Sequence, residues 1–451
     1  MKPPVSPPSV EELMQRHGSA LADILRVGSD PLPKGKYRHW DRFRHLKPPS
    51  PLTVEQWWLG VKLARSNQYR PTPLKDPRGQ SFVYALPDPV LARLHAIDVQ
   101  SAGRAELPNR AVTPENWDRY ILSSLIEEAI TSSQLEGAST TRQVAADMLR
   151  EGREPRDKDE RMIVNNFRAM QAIRARRDEP LSIEMILELH RQLTEETLDN
   201  PDAAGRFQTP GEERVAVSDN VTGRIAHAPP PADSLPKRME ELVRFANREE
   251  ESDRTFVHPL IRAIILHFWL AYEHPFEDGN GRVARALFYW GMLRRDYWVF
   301  EFVSISHVLK EAPAQYARAF LETETDGNDL TYFLLHQLDV IDRALDILEG
   351  YLTRKALEIE EVEQKLRDYG NLNHRQLALL SHAVRHSRHR YTVRSHQRSH
   401  GTAYATARSD LLNLAEQGFL DKIKAGRGWM FEAPRDVASR LESAGEQRGS
   451  E

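Results

Sequence analysis

HPFEDGNGRVAR, His274 to Arg285, puts a histidine, two acidic residues, two glycines around an asparagine and two arginines into one short stretch. The residues before it, Leu260 to Tyr272, are apolar nearly all round, and Ala284 to Leu293 follow as a counterpart. Two buried helices joined by a polar loop is the reading this pattern dictates. Polar groups packed this densely beside a core are costly unless they bind something.

The residue types point to an anion. Glycines at 279 and 281 let backbone approach a ligand where a side chain would collide. Free N–H groups at a helix start near Asn280, with the dipole behind them, attract phosphate. Arg282 sits at that start and Arg285 about one turn on, so both reach the same anion. Asp278 offers a hard oxygen suited to Mg²⁺, which takes few carboxylates and shares phosphate oxygens. Phe276 anchors the loop, and His274 stands beside the cradle as a general base. Gly-Asn-Gly alone is an ordinary turn, and a histidine before proline alone is ordinary structure. The combination with two arginines at helical spacing is what points to a site.

The rest of the chain sets bounds. With 451 residues, two or three domains are expected. A 40% hydrophobic and 28% charged composition is that of a soluble globular protein, and a net charge of −4 excludes a general polycation. The absence of cysteine removes disulfides, thiolate metal sites and a cysteine nucleophile, and fits a cytoplasmic location. Prolines interrupt MKPPVSPPSVEELMQRHG where a signal peptide needs an apolar run, and no stretch is long enough to span a bilayer.

Residues up to about Pro51, rich in proline and charge, read as an extended arm or a loosely packed start. WWLGVKLA (57–64) reads as a short helix, and LKDPRGQSFVYAL (74–86) as a small hairpin. From about Thr113 helical spacing takes over, through Ile121, Leu125, Ile126 and Ala129, then roughly 159–176 and a helix capped by Ser182. RVAVSDNVTGRIAHA, from Arg214, alternates like a β-hairpin before the stiff Pro229–Pro231 triplet, and helix returns at 233–247. A charged helix over about 331–368 leads to a C-terminal unit of three helices (375–386, 393–399, 403–417) and a two-stranded ribbon.

HPFEDGNGRVAR resembles the motif of Fic-domain proteins, HxFx(D/E)GNGRxxR, with every fixed position matched. HPLIRAIILHFWLAYE, LHRQLTEETL and GRF…TGRIAHAPPP agree, so the resemblance spans about Trp117 to Leu345, and the flanking regions are similar to the longer bacterial members. It implies a mainly α, helical core with a small β-hairpin flap that transfers AMP from ATP, with Mg²⁺, to a Ser, Thr or Tyr hydroxyl of a target protein. Carried over, His274 is the base, Asp278 the Mg²⁺ ligand, and Gly279, Asn280 and Gly281 the anion cradle. Arg282 holds the β-phosphate and Arg285 the γ-phosphate. The hairpin at about 214–228 is the flap that clamps the target by strand pairing. The implied fold has 1–112 as an arm and small partly structured region, 113–345 as the Fic domain, 346–370 as a connecting helix, 371–440 as a winged helix-turn-helix domain and 441–451 as a disordered tail. A homodimer is also implied.

TSSQLEGAS, Thr131 to Ser139, reads physically as a helix C-terminus, with Ser132 and Glu136 on one face and Gly137 as the left-handed stop. A glutamate there opposes the helix dipole, which calls for an external partner. In the Fic family [ST]xxxE[GN] marks an inhibitory helix, which implies that Glu136 pairs with Arg285 and takes the γ-phosphate's place. In some members the same glutamate positions a water that removes AMP instead, and because the catalytic motif does not read the base, an enzyme using another nucleotide donor is a further reading.

Between Asn371 and Asp436 there are 11 Lys or Arg and 5 Asp or Glu. Much of the basic charge falls in Arg385 to His400 and at Lys422, Lys424 and Arg427 of the ribbon, while Tyr404, Thr406 and Arg408 lie on the third helix. This pattern suits DNA, and a DNA-binding regulator with a nucleotide-sensing core is the alternative to an enzyme. Winged helices also bind proteins. The six histidines (374, 382, 386, 389, 396, 400) are too irregularly spaced, with too few carboxylates, for a metal site.

Overall fold

The computed structural model describes residues 3–101, 117–215, 217–218, 225–248, 256–367, 372–385, 389–425, 428–434, 436 and 440. It divides into a first unit running up to Leu348 and a second from Glu349 on.

The first unit is built on the helix Pro259–Glu273. Pro259 presets its first turn, the His258 ring accepts the N–H of Leu260, and His274 ends it in the left-handed region at φ 45°. It packs against Asn280–Leu293 across a short loop, where a Cβ on Gly291 would sit 3.1 Å from that of Ala263. Glycine there lets the two helices close. Around this pair lie Trp117–Leu135, Lys158–Ala175, Ile183–Thr194 and Leu235–Ala246, sharing one apolar core with Leu189, Trp269, Phe276 and Leu287. Ser182 caps its helix through the Met185 N–H, as the sequence predicts.

Two small hairpins complete the unit. Arg70–Lys75 pairs with Ser81–Tyr84, and the Asp76 carboxylate accepts N–H groups of Arg78 and Gln80 to close the turn. Val217–Ser218 pairs with Ile225–His227, Val217 opposite His227. The Asp-Asn and Thr-Gly turn expected at 219–223 lies outside the described residues.

The N-terminus departs from the sequence reading. Residues 10–51 are not an extended arm but hold helices Val10–His17 and Leu21–Gly28, which with Val54–Ser66, the helix read at 57–64, pack around Leu13, Ile24, Phe43, Trp57 and Trp58. Capping boxes at Ser9–Glu12 and Thr53–Gln56 start two of them. Eight-residue helices are too short for a periodic pattern to show, and their core forms only between segments separated by proline loops.

The second unit has its own core of Leu380, Leu411, Leu414, Phe419 and Phe431. Its helices are His374–Arg385, Val393–His400 and Tyr404–Glu416. The ribbon Asp421–Ala425 and Gly428–Glu432 is joined by a third strand, Arg390–Tyr391, which pairs with Glu432 and Phe431. A two-stranded ribbon was expected. Two residues are too few to announce a strand in sequence. His386 and Arg427 lie outside the described residues, as do residues 441–451. No described helix is long and apolar enough to cross a membrane.

Candidate functional site

The loop between the two central helices is closed by its own asparagine. Asn280 accepts the Phe276 N–H at 2.9 Å and donates to the Phe276 carbonyl at 2.9 Å. Those two bonds fix the amide's orientation, so its remaining N–H points to His274 Nδ1, 3.2 Å away. Phe276 is fully buried and stacks on the His190 ring at 3.8 Å. His190 accepts the Gly205 N–H at Nδ1 and donates from Nε2 to the Asp278 carbonyl, both at 2.9 Å. That pattern needs a neutral ring, and burial pushes the His190 pKa down to about 4. One histidine therefore holds the loop from beneath.

Above the loop the backbone turns left-handed at Gly279, φ 83°, and the helix begins. The N–H groups of 280–282 head that helix without intrahelical partners. Arg282 donates to the Leu193 carbonyl at 3.0 Å and reaches Asp278 at 3.2 Å, yet its buried Nε has no partner. A buried guanidinium with an orphaned N–H beside a helix start is a place for an anion. Asp278 is the exposed edge of this arrangement, its side chain 52% accessible.

Arg285 is buried one turn further on. Its Nε donates to Ser132 Oγ at 2.9 Å, and its Nη2 donates to the Ser132 carbonyl at 3.0 Å and to Glu136 Oε1 at 2.8 Å. Burial alone would lower the Arg285 pKa, and Glu136 overturns that and raises it. The Glu136 carboxylate lies so close over Gly281 that a Cβ there would collide with it. A carboxylate thus already occupies the space at the helix start.

Glu136 arrives on the end of Trp117–Leu135, and Gly137 then takes φ 99°. Glu128, two turns earlier and buried, anchors that helix. Its carboxylate accepts from Tyr289 and Ser304 hydroxyls at 2.8 Å, from the Ser306 N–H at 3.1 Å and from the Ser306 hydroxyl.

His274 faces the same space. Burial pushes its pKa down to about 4, with His227 and Arg214 adding to the effect and Glu136 and Asp278 opposing it. The ring is therefore neutral at ordinary pH and able to take a proton.

The structure brings His274, Asp278, Gly279, Asn280, Gly281, Arg282, Arg285, Ser132 and Glu136 together, with Gly137 serving only as the helix stop. Asn280 contributes loop closure with its side chain and anion-binding potential with its backbone. Sequence reasoning assigns no role to His190, Glu128 or His227, since no local spacing singles any of them out. Among the described residues no group of three or more His, Asp or Glu is placed to hold a metal.

Residues 180–292 match the model of the Fic/DOC family. The protein adenylyltransferase Fic of Nematostella vectensis is 35% identical over 111 residues, 25% of this chain and 22% of that protein. The Drosophila melanogaster protein of the same name is 29% identical over 167 residues, 37% of this chain and 29% of that one. The chain thus spans under a third of the length of these curated relatives, which are animal proteins. A Fic family protein of Desulfovibrio desulfuricans G20 superposes with a TM-score of 0.49 at 18% identity, covering 76% of this chain and 94% of that one.

Proposed function

We propose that this Fic domain is a protein adenylyltransferase that moves AMP from ATP to a Ser, Thr or Tyr hydroxyl of a protein, itself included, and that Glu136 holds it in check. The observation carrying this reading is a buried Arg285 whose anion position, at a helix start beside a neutral imidazole, is taken by a carboxylate. With Glu136 withdrawn, the N–H groups of 280–282, Arg282 Nε and Arg285 face an anionic chain of phosphates. His274 takes the hydroxyl proton, the oxygen forms a bond to the α-phosphorus, and the bond from that phosphorus to the bridging oxygen breaks, releasing pyrophosphate. The donor set suits Mg²⁺, because Asp278 is a half-exposed carboxylate and such ions complete their shell with phosphate oxygens and water. Asp278 would hold the ion, which offsets charge on the phosphates when bound. The strand pair Val217–Ser218 and Ile225–His227 offers backbone for pairing with an extended target segment. AMP as the transferred group rests on the names of the curated relatives.

The test is incubation of the wild type, Glu136→Gly and Glu136→Gly/His274→Ala with ATP and Mg²⁺, followed by intact-mass spectrometry. An AMP adduct in the single variant alone supports the proposal. Equal labelling of wild type and Glu136→Gly removes the brake, and labelling of the double variant removes His274 as base. The same Glu136 can position a water for AMP removal, and loss of adduct from pre-labelled protein reads that out.

A second reading rests on the second unit. Its order of helix, strand, helix, helix and ribbon supports the winged-helix reading, and Tyr404, 52% exposed, opens the third helix. Lys422 lies over Trp429 at 4.2 Å on the ribbon. A DNA-binding regulator predicts salt-dependent binding of duplex DNA that His274→Ala leaves unchanged.

A further inference from the structure

His227 closes the strand Ile225–His227 and is only 9% exposed. Its Nε2 lies 2.7 Å from the Tyr272 carbonyl and its Nδ1 2.9 Å from Glu324 Oε2. A carbonyl and a carboxylate only accept hydrogen bonds, and a neutral imidazole carries one N–H. Both contacts are made together by the imidazolium alone. Tyr272 is the last residue but one of Pro259–Glu273, so the charge sits at a helix C-terminus, where the dipole favours a cation.

We propose that His227 is a charged positioning residue, whose imidazolium straps the flap strand to the end of the helix that delivers His274.

The surroundings agree from each element packed there. Glu324 comes from Pro313–Thr325, and the buried Glu273, itself gripped by Arg238 at 2.7 Å, adds negative charge from the central helix. Against these stand Arg214, which donates to the Glu273 carbonyl at 2.6 Å, and His274, which is neutral. Burial alone would lower the His227 pKa, and the Glu324 contact, the Tyr272 carbonyl and Glu273 together raise it above the usual value. The sign is then definite. The strap is intact below the raised pKa and releases one of its two hydrogen bonds as pH rises through it.

The role of the strap in catalysis rests on the transfer reading above, and its existence does not. Ring-nitrogen NMR of the full chain labelled with ¹⁵N-histidine, assigned by the signals lost in His227→Gln, should find both His227 nitrogens in the imidazolium range at pH 7. A neutral ring at that pH overturns the proposal. Amide exchange of 217–218 and 225–227, corrected for intrinsic pH dependence, should quicken by at least about tenfold in His227→Gln, the equivalent of one lost charge-assisted hydrogen bond. Glu324→Gln, which keeps the ring, should move the pH at which the strand loses protection down by about 1–3 units. Unchanged exchange in both variants overturns the strap. In the Glu136→Gly background, self-labelling with ATP should lose its alkaline limb in step with that shift. An imidazolium strap in a chain that never labels keeps this inference and sinks the transfer reading. A labelling chain with a neutral His227 does the reverse.

Discussion

Arg285 lies buried, its guanidinium shared between Ser132 and Glu136. Glu136→Gly removes the carboxylate and leaves a buried cation with fewer acceptors, at a cost of about 1–3 kcal/mol. Thermal melting should therefore drop for this variant, and added ATP with Mg²⁺ should restore more of the loss than it adds to the wild type, because the phosphates replace the missing anion. Equal shifts in both proteins would mean that the nucleotide does not compete for Arg285. Both residues were legible in sequence as parts of separate motifs. Their contact was visible there only through the family resemblance, since 149 positions separate them. His190 was not legible at all: its two hydrogen bonds and its stacking on Phe276 join three segments, and no local spacing announces that.

At the level of the element, the helix Trp117–Leu135 is held by Glu128 through Tyr289, Ser304 and Ser306. Glu127 adds an outer contact at 3.0 Å to His307, from the helix Ile305–Glu311. Glu128→Gln sets an amide N–H₂ against donors, so each mismatched bond costs about 1–3 kcal/mol. The expected outcome is a lower melting temperature and AMP labelling between that of wild type and Glu136→Gly. Labelling no higher than wild type would show that the helix keeps Glu136 in place without this anchor. The helix itself is readable from its apolar stripe, the central pair from being apolar nearly all round, and Thr331–Arg367 as a long charged helix. The helices Val10–His17 and Leu21–Gly28 were not, because two turns give periodicity too little to repeat.

Across the first unit, the N-terminal helices are tied to the rest by buried charge. Arg65, fully buried, donates to the Pro31 carbonyl at 3.0 Å and to the Tyr332 hydroxyl at 2.9 Å, and stacks 3.6 Å over Tyr37. Lys62 pairs with Asp326 at 2.9 Å, and the Tyr69 hydroxyl donates to Asp329 at 2.8 Å. Arg65→Ala strips one partner from this network and should cost about 3–5 kcal/mol in denaturant unfolding. A loss below about 1 kcal/mol would show that the N-terminal helices add little to the unit. Acid should also weaken it. His190, His274 and His336 are held near 4 by burial, against about 6.5 when unfolded. The unfolded chain then binds more protons between those values, so stability is full above about pH 6.5 and falls as pH drops toward 4. His227 and His307, raised, act with the opposite sign at higher pH. Melting temperature measured from pH 7.5 to 4.5 should fall steadily, and a flat profile would contradict the buried neutral rings. Sequence by itself determined the central helix pair and the polar loop between them, because those depend on neighbours a few positions apart. Tertiary structure alone decided which carboxylate meets Arg285, which ring supports the loop and which histidine stays charged, because each depends on burial and on partners that only folding brings within hydrogen-bond reach.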